Sequence, residues 1–214
     1  HFKTEGEAEY FDDGILVVEN DQIKQVGHAD DILESVQDKD LTVYDNKMIM
    51  PGFIDTHIHY PQVDVIASYG EQLLDWLNNY TFPTEIQFED PEFAKETAEF
   101  FLDELLKNGT TTALVFGTKH KQSVDAFFEA SSQRNTRMIC GKVMMNRNAP
   151  DDLLDDVASS FEDSQALIDQ WHGKGRQLYA VTPRFAITST GEQLQKAGEL
   201  IKNNPSVYMQ THLS

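Results

Sequence analysis

Cysteine is nearly missing from this sequence: Cys140 stands alone among 214 residues. An internal disulfide is excluded, and with it a disulfide-stapled secreted scaffold. Cys140 lies in the apolar stretch RMICGKVMM, which predicts a buried, reduced thiol rather than a nucleophile. A reducing, cytoplasmic setting is the matching compartment. Positive charge is scarce too. Lys and Arg total 17 against 36 Asp and Glu, for a formal net charge of −19. Such a surface repels phosphate backbones, so nucleic acid is not an expected partner. No run of 18 or more apolar residues occurs, so no membrane-spanning helix and no membrane partner are expected. The opening residues HFKTEGEAEY lack a basic n-region and an apolar h-region, so no secretory signal is expected there. They also lack an initiator Met, and upstream residues are expected. Neither phosphate-binding glycine motif, G-x-G-x-x-G or G-x-x-x-x-G-K-[ST], follows any apolar run.

What is present is a regular alternation. Residues 14–26, GILVVENDQIKQV, alternate in β fashion around Asn20-Asp21, which predicts a hairpin. A further extended piece, Leu41–Tyr44, is expected to complete a small antiparallel β unit ending near Asp45. From Met48 the pattern changes. MIMPGFIDTHIH is an apolar run with a polar end. Helical spacing follows over 90–109, a β-rich run over 110–117, a helix over 121–134 and a strand over 137–145. A helix is predicted over 151–173, a strand over 177–186, a helix over 190–203 and a strand over 206–214. This βα alternation predicts parallel strands with crossover helices, the strands buried on both faces. Two architectures remain open: a (β/α)8 barrel interrupted after strand five, or a complete doubly wound sheet. The missing Gly-rich turns speak against the second.

Active residues of parallel α/β folds collect at the C-terminal ends of strands. There the sequence places His57 and His59, then Phe116 and His120, then Arg184 and Phe185, then Gln210 and His212. His57 and His59 are two apart on an extended chain, so both imidazoles fall on one side. Neutral imidazoles suit zinc or ferrous iron. An isolated H-x-H is also compatible with two incidental polar side chains; His212 at another strand end favours the metal reading. His120 is expected to be a loop histidine between Lys119 and Lys121. His172 is expected to partner a helix C-terminus; no role is assigned to His28 or His1. Arg184 offers either a surface ion pair or a donor fork for a ligand carbonyl or ring nitrogen. Phe185 offers core packing or a stacking face.

PGFIDTHIHYPQ, YGEQLLDWLNNYTFPTE, NGTTTALVFGTKH, VTPRFAITS and MQTHLS together resemble guanine deaminases of the amidohydrolase superfamily, over about Gly14 to Ser214. The H-x-H strand marks the superfamily; DWL…YTFP and TPRF are more particular to guanine deaminases. The resemblance implies a (β/α)8 TIM-type barrel with a small β-sandwich portion at the N-terminus. It divides this chain into 1–50, part of the sandwich, and 51–214, the first part of the barrel through strand five. It implies hydrolysis of guanine to xanthine and ammonia with one zinc ion, iron being the less favoured metal. By the same resemblance His57, His59 and His212 are metal ligands. Gln62, Arg184, Phe185 and His212 are substrate-binding residues, and Leu74, Trp76 and Phe82 lie in the pocket wall. It implies a homodimer. The family's fifth-strand motif continues THLxE, so its proton-shuttling glutamate is expected to follow Ser214. No catalytic proton carrier lies within the chain, and a sixth-strand histidine and an eighth-strand aspartate are absent. The 214 residues are therefore expected to be an N-terminal portion, inactive alone. Rival readings are a related aminohydrolase of another purine or a triazine, and a barrel homologue without catalysis.

Overall fold

The computed structural model describes residues 2–36, 41–70 and 72–213. His1 and Ser214, and so the last position of the predicted 206–214 strand, lie outside the described residues. The chain divides into two compact units, His1–Pro51 and Gly52–Ser214.

In the first unit, β1 (Phe2–Thr4) and β2 (Glu7–Ala8) pair antiparallel, a hairpin the sequence pattern did not announce. β3 (Gly14–Glu19) and β4 (Gln22–His28) form the predicted hairpin. Asn20 and Asp21 both take positive φ, 52° and 59°. That pair of left-handed residues matches the right-handed twist of the strands. A short helical turn, α1 (Ala29–Ile32), follows and buries Ile32. The expected extended piece Leu41–Tyr44 is not a strand. It pairs with nothing among the described residues, and Val43 and Tyr44 are exposed. Extended chain gains its stability from cross-strand neighbours, and here it has none.

The second unit is a parallel β/α array. Its strands are β5 (Phe53–His59), β6 (Thr110–Phe116), β7 (Arg137–Gly141), β8 (Val143–Met144), β9 (Leu178–Pro183) and β10 (Tyr208–Met209). The spatial order β5-β6-β7-β9-β10 follows the chain order, with β8 continuing β7 alongside β9. A doubly wound sheet reverses direction at a switch point; this one never does. Each crossover helix packs on the next: α4 (Pro91–Lys107) on α5 (Lys121–Gln133), α5 on α6 (Val157–Trp171), α6 on α7 (Gly191–Asn203). All four therefore share one face of the sheet, the arrangement found in a (β/α)8 barrel.

The core lies between that helix layer and the sheet. Tyr60, Phe88, Phe127 and Phe128 are fully buried there. Each such ring is worth about 1.5–3 kcal/mol relative to exposure. The Tyr60 hydroxyl donates to the Ser123 carbonyl at 2.7 Å, so its polar end is satisfied. Asp90 caps α4 through the Glu92 N–H, and Pro91 occupies its first turn. Cys140 is fully buried, and burial pushes its thiol well above the usual range.

Three expectations change. The helix predicted from 151 begins at Val157, because Asp156 accepts from the Ala158 and Ser159 N–H groups and caps it there. Before it, Asp151–Leu153 forms a 3-10 turn that buries Leu153. The 137–145 strand is broken at Lys142, whose N–H donates to the Tyr179 hydroxyl. Gly141 permits the close approach there: a Cβ would sit 1.7 Å from the Ala180 carbonyl oxygen. Finally, burial on both faces holds only for the inner strands. Phe53 and Ile54 on β5, and Tyr208 and Met209 on β10, are exposed. These two strands are the edges of the described sheet, so each has one neighbour. No helix among the described residues is long and apolar enough to cross a membrane.

Candidate metal centre

β5 ends by delivering His57 and His59, and His212 follows β10. A parallel bridge between Phe185 and His212 aligns the last two strand ends. The three imidazoles meet: one ligand atom from each lies within 4.8 Å of the others. His59 Nε2 stands 3.0 Å from His212 Nε2. Two zinc–nitrogen bonds of about 2.0–2.1 Å at a tetrahedral angle place their nitrogens about 3.4 Å apart, so the observed spacing suits a shared cation. His212 Nδ1 donates to the Arg184 carbonyl at 2.8 Å, which leaves Nε2 as a bare lone pair. The ring of Phe116 stacks on His59 at 4.5 Å and on His212 at 4.4 Å, fixing both planes. Burial, then the Arg184 charge, pushes His59 down to about 2. Burial also lowers His212. Both rings are thus neutral near pH 7, the form that binds a metal. The donor set fits a borderline-soft divalent ion such as zinc.

Beside the histidines lies a polar edge. Gln62 follows β5, and its Nε2 is 3.2 Å from His59 Nδ1 and 3.4 Å from Glu85 Oε1. Arg184 follows β9 and is buried. Its Nη1 and Nη2 donate to Glu85 Oε2 at 2.5 Å and Oε1 at 3.0 Å. Its guanidinium lies over the Phe82 ring, 5.3 Å from the centroid. Of the two readings for Arg184, an exposed surface pair is therefore excluded. Phe185 is half-buried and belongs to neither apolar cluster. Leu74 is 70% exposed and Trp76 half-buried.

Sequence reasoning missed Glu85, and it placed Phe116 at a strand end without giving it a role. Glu85 is the last residue of the YTFPTE stretch, on α3 (Phe82–Ile86), which follows α2 (Leu73–Trp76) and a π-helical turn, Leu77–Thr81. Pro83 offers no N–H to the preceding turn, which favours the wider winding. The signal available was an acidic residue inside an otherwise apolar, aromatic segment.

His120 lies in the loop before α5, as expected, but it is buried there, with its Nε2 unpartnered. Thr118 Oγ1 accepts the His120 N–H at 3.1 Å, and Ser123 Oγ donates to its carbonyl at 2.7 Å. This tight turn points the ring inward. Burial, then Lys119 and Lys142, brings it to about 4; Asp155 and Glu85 oppose weakly. His172 does not act as a helix-end cation: its Nδ1 accepts the Tyr179 N–H at 3.0 Å, which requires the neutral ring.

The His120 value has a consequence for acid stability. The unfolded chain takes up the proton near 6.5 and the folded one only near 4. Between those values the unfolded state binds more protons, so stability falls as pH drops through that window. His120→Gln is expected to lose less stability than the parent between about pH 7.5 and about pH 5. Urea unfolding midpoints at the two pH values check this; equal losses would contradict it.

The sequence profile of the Amidohydrolase family matches residues 48–214, and the chain belongs to that family. Over 208 residues it is 52% identical to the guanine deaminase of Escherichia coli (strain K12), covering 95% of this chain and 47% of that protein. The solved E. coli guanine deaminase superimposes with a TM-score of 0.90 at 53% identity, covering 94% of this chain and 46% of that one. Guanine deaminase from C. acetobutylicum, solved with guanine bound in its active site, gives 0.85 at 31% identity, covering 99% and 50%. The chain spans about half the length of these relatives.

Proposed function

We propose that the protein hydrolyses guanine to xanthine and ammonia, with zinc held by His57, His59 and His212. The observation that carries this reading is the meeting of three imidazoles beside a polar edge of Gln62, Arg184 and Glu85. The kinship with guanine deaminases and the guanine-bound relative support the substrate. Zinc, when bound, makes water an effective nucleophile near neutral pH.

The chain's own residues then supply selection and placement. Arg184 can only donate, so it faces an acceptor, the 6-oxo group of guanine. Adenine presents an amino donor there and would leave a buried guanidinium N–H unpaired, which costs about 1–3 kcal/mol. Gln62 both donates and accepts, matching the mixed edge of a purine. The half-buried Phe185 ring offers a face for stacking. A cytoplasmic setting agrees with the single buried thiol.

The test is ultraviolet absorbance of the intact protein mixed with guanine, with ammonia measured in parallel and adenine and triazines as alternatives. Xanthine formation from guanine is expected, with adenine and triazines untouched. Turnover of a triazine in preference to guanine would sink the reading.

A further inference from the structure

Glu85 comes from outside the barrel strands, on α3, and is only 1% exposed. One carboxylate there joins two side chains of the polar edge. It takes both terminal nitrogens of Arg184 and stands 3.4 Å from Gln62 Nε2. A guanidinium gripped through both Nη atoms cannot swing, and Phe82 beneath it restrains the plane. Its remaining N–H bonds then point in fixed directions. Gln62 Nε2 stands 3.4 Å from this carboxylate and 3.2 Å from His59 Nδ1.

The geometry points to Glu85 as the positioning residue that sets the donor–acceptor polarity of the site. We propose that it holds Arg184 as a fixed donor at the polar edge, and that this donor selects 6-oxo over 6-amino purines. The C6=O of an oxopurine complements such a donor. A 6-aminopurine offers an amino donor in its place. The inference rests on the guanine deaminase reading, and it concerns selection rather than the chemical step. Glu85 does not touch the reacting carbon; it acts through Arg184.

Glu85→Gln keeps the shape but loses the charge and one acceptor, so Arg184 can reorient. The experiment compares the intact parent enzyme and this variant on guanine and on 2,6-diaminopurine, which keeps the 2-amino group and replaces the oxo group. The kcat/KM ratio, guanine over diaminopurine, is expected to fall by about tenfold or more. The guanine KM should rise by about tenfold while kcat changes by less than about fivefold, with zinc content equal to the parent's. A merely structural role would lower the amount of folded enzyme and leave that ratio alone. If Glu85→Gln does not fold, Glu85→Asp serves. It keeps the charge but is one methylene short of the two-point grip, and it should lower the ratio by a smaller factor. A folded variant with the parent's ratio, in an enzyme that does deaminate guanine, overturns the role of Glu85 alone. A parent inactive on guanine overturns both this inference and the function beneath it.

Discussion

His212→Ala is expected to leave the intact protein without a stoichiometric metal ion and with guanine turnover at background. The reason lies in how the site is held. His212 reaches the cluster from the last described strand, while His57 and His59 arrive together on β5. Its backbone N–H and its Nδ1 both donate to the Arg184 carbonyl, at 3.0 and 2.8 Å. Two bonds to one oxygen, with Phe116 against the ring, hold Nε2 in place before any ion arrives. Loss of an outer partner of a metal-binding histidine costs about 10–100-fold in affinity; loss of a ligand should exceed that. The fold should survive, because His212 is only half-buried. Elemental analysis of the purified variant, with a thermal unfolding curve beside it, checks both halves. One equivalent of zinc retained in a folded variant would remove His212 from the ligand set.

Arg184→Ala is expected to act in the opposite sense: metal retained, substrate lost. The group that orients His212 is the backbone carbonyl of Arg184, which alanine keeps. What disappears is the guanidinium and its two bonds to Glu85. Guanine kcat/KM should fall by about a hundredfold, and stability by about 3–5 kcal/mol, because Glu85 is left as a buried, unpaired carboxylate. The stability loss and the activity loss are separable. In the double variant Arg184→Met with Glu85→Leu the buried charge is gone, so stability should largely return while turnover does not. Zinc content, steady-state rates and denaturant midpoints on the same preparations test each part. A single variant with the parent's kcat/KM would end the assignment of Arg184 to the substrate.

Much of the architecture was already present as a one-dimensional pattern. The period of apolar residues marked α4, α5 and α7 nearly to their ends, and Asn20-Asp21 marked its hairpin. These features are local: a helix face, a cap or a left-handed turn is set by residues within about five positions of each other. The H-x-H pair was visible for the same reason, since both imidazoles ride on one strand. Where the apolar period misled, a hydrogen bond outside that pattern decided. The 151–173 helix was shortened by a cap, and the 137–145 strand was split where Tyr179 takes an N–H that the pattern assigned to the sheet. His120 does lie in a loop between two lysines, but the Thr118–Ser123 turn buries it there.

By itself, then, the sequence determined the kind of elements, their order along the chain, and the residue types able to hold a metal at strand ends. Those follow from side-chain periodicity and chemistry, which are written residue by residue. Tertiary structure alone decided that successive strands lie side by side with all the crossover helices on one face. It also brought residue 212 to within 3.0 Å of residue 59 and paired Glu85 with Arg184, 99 positions away. No spacing rule reaches across such separations. They are fixed when burial of the apolar faces packs the helices on the sheet and leaves each buried charge in need of its opposite.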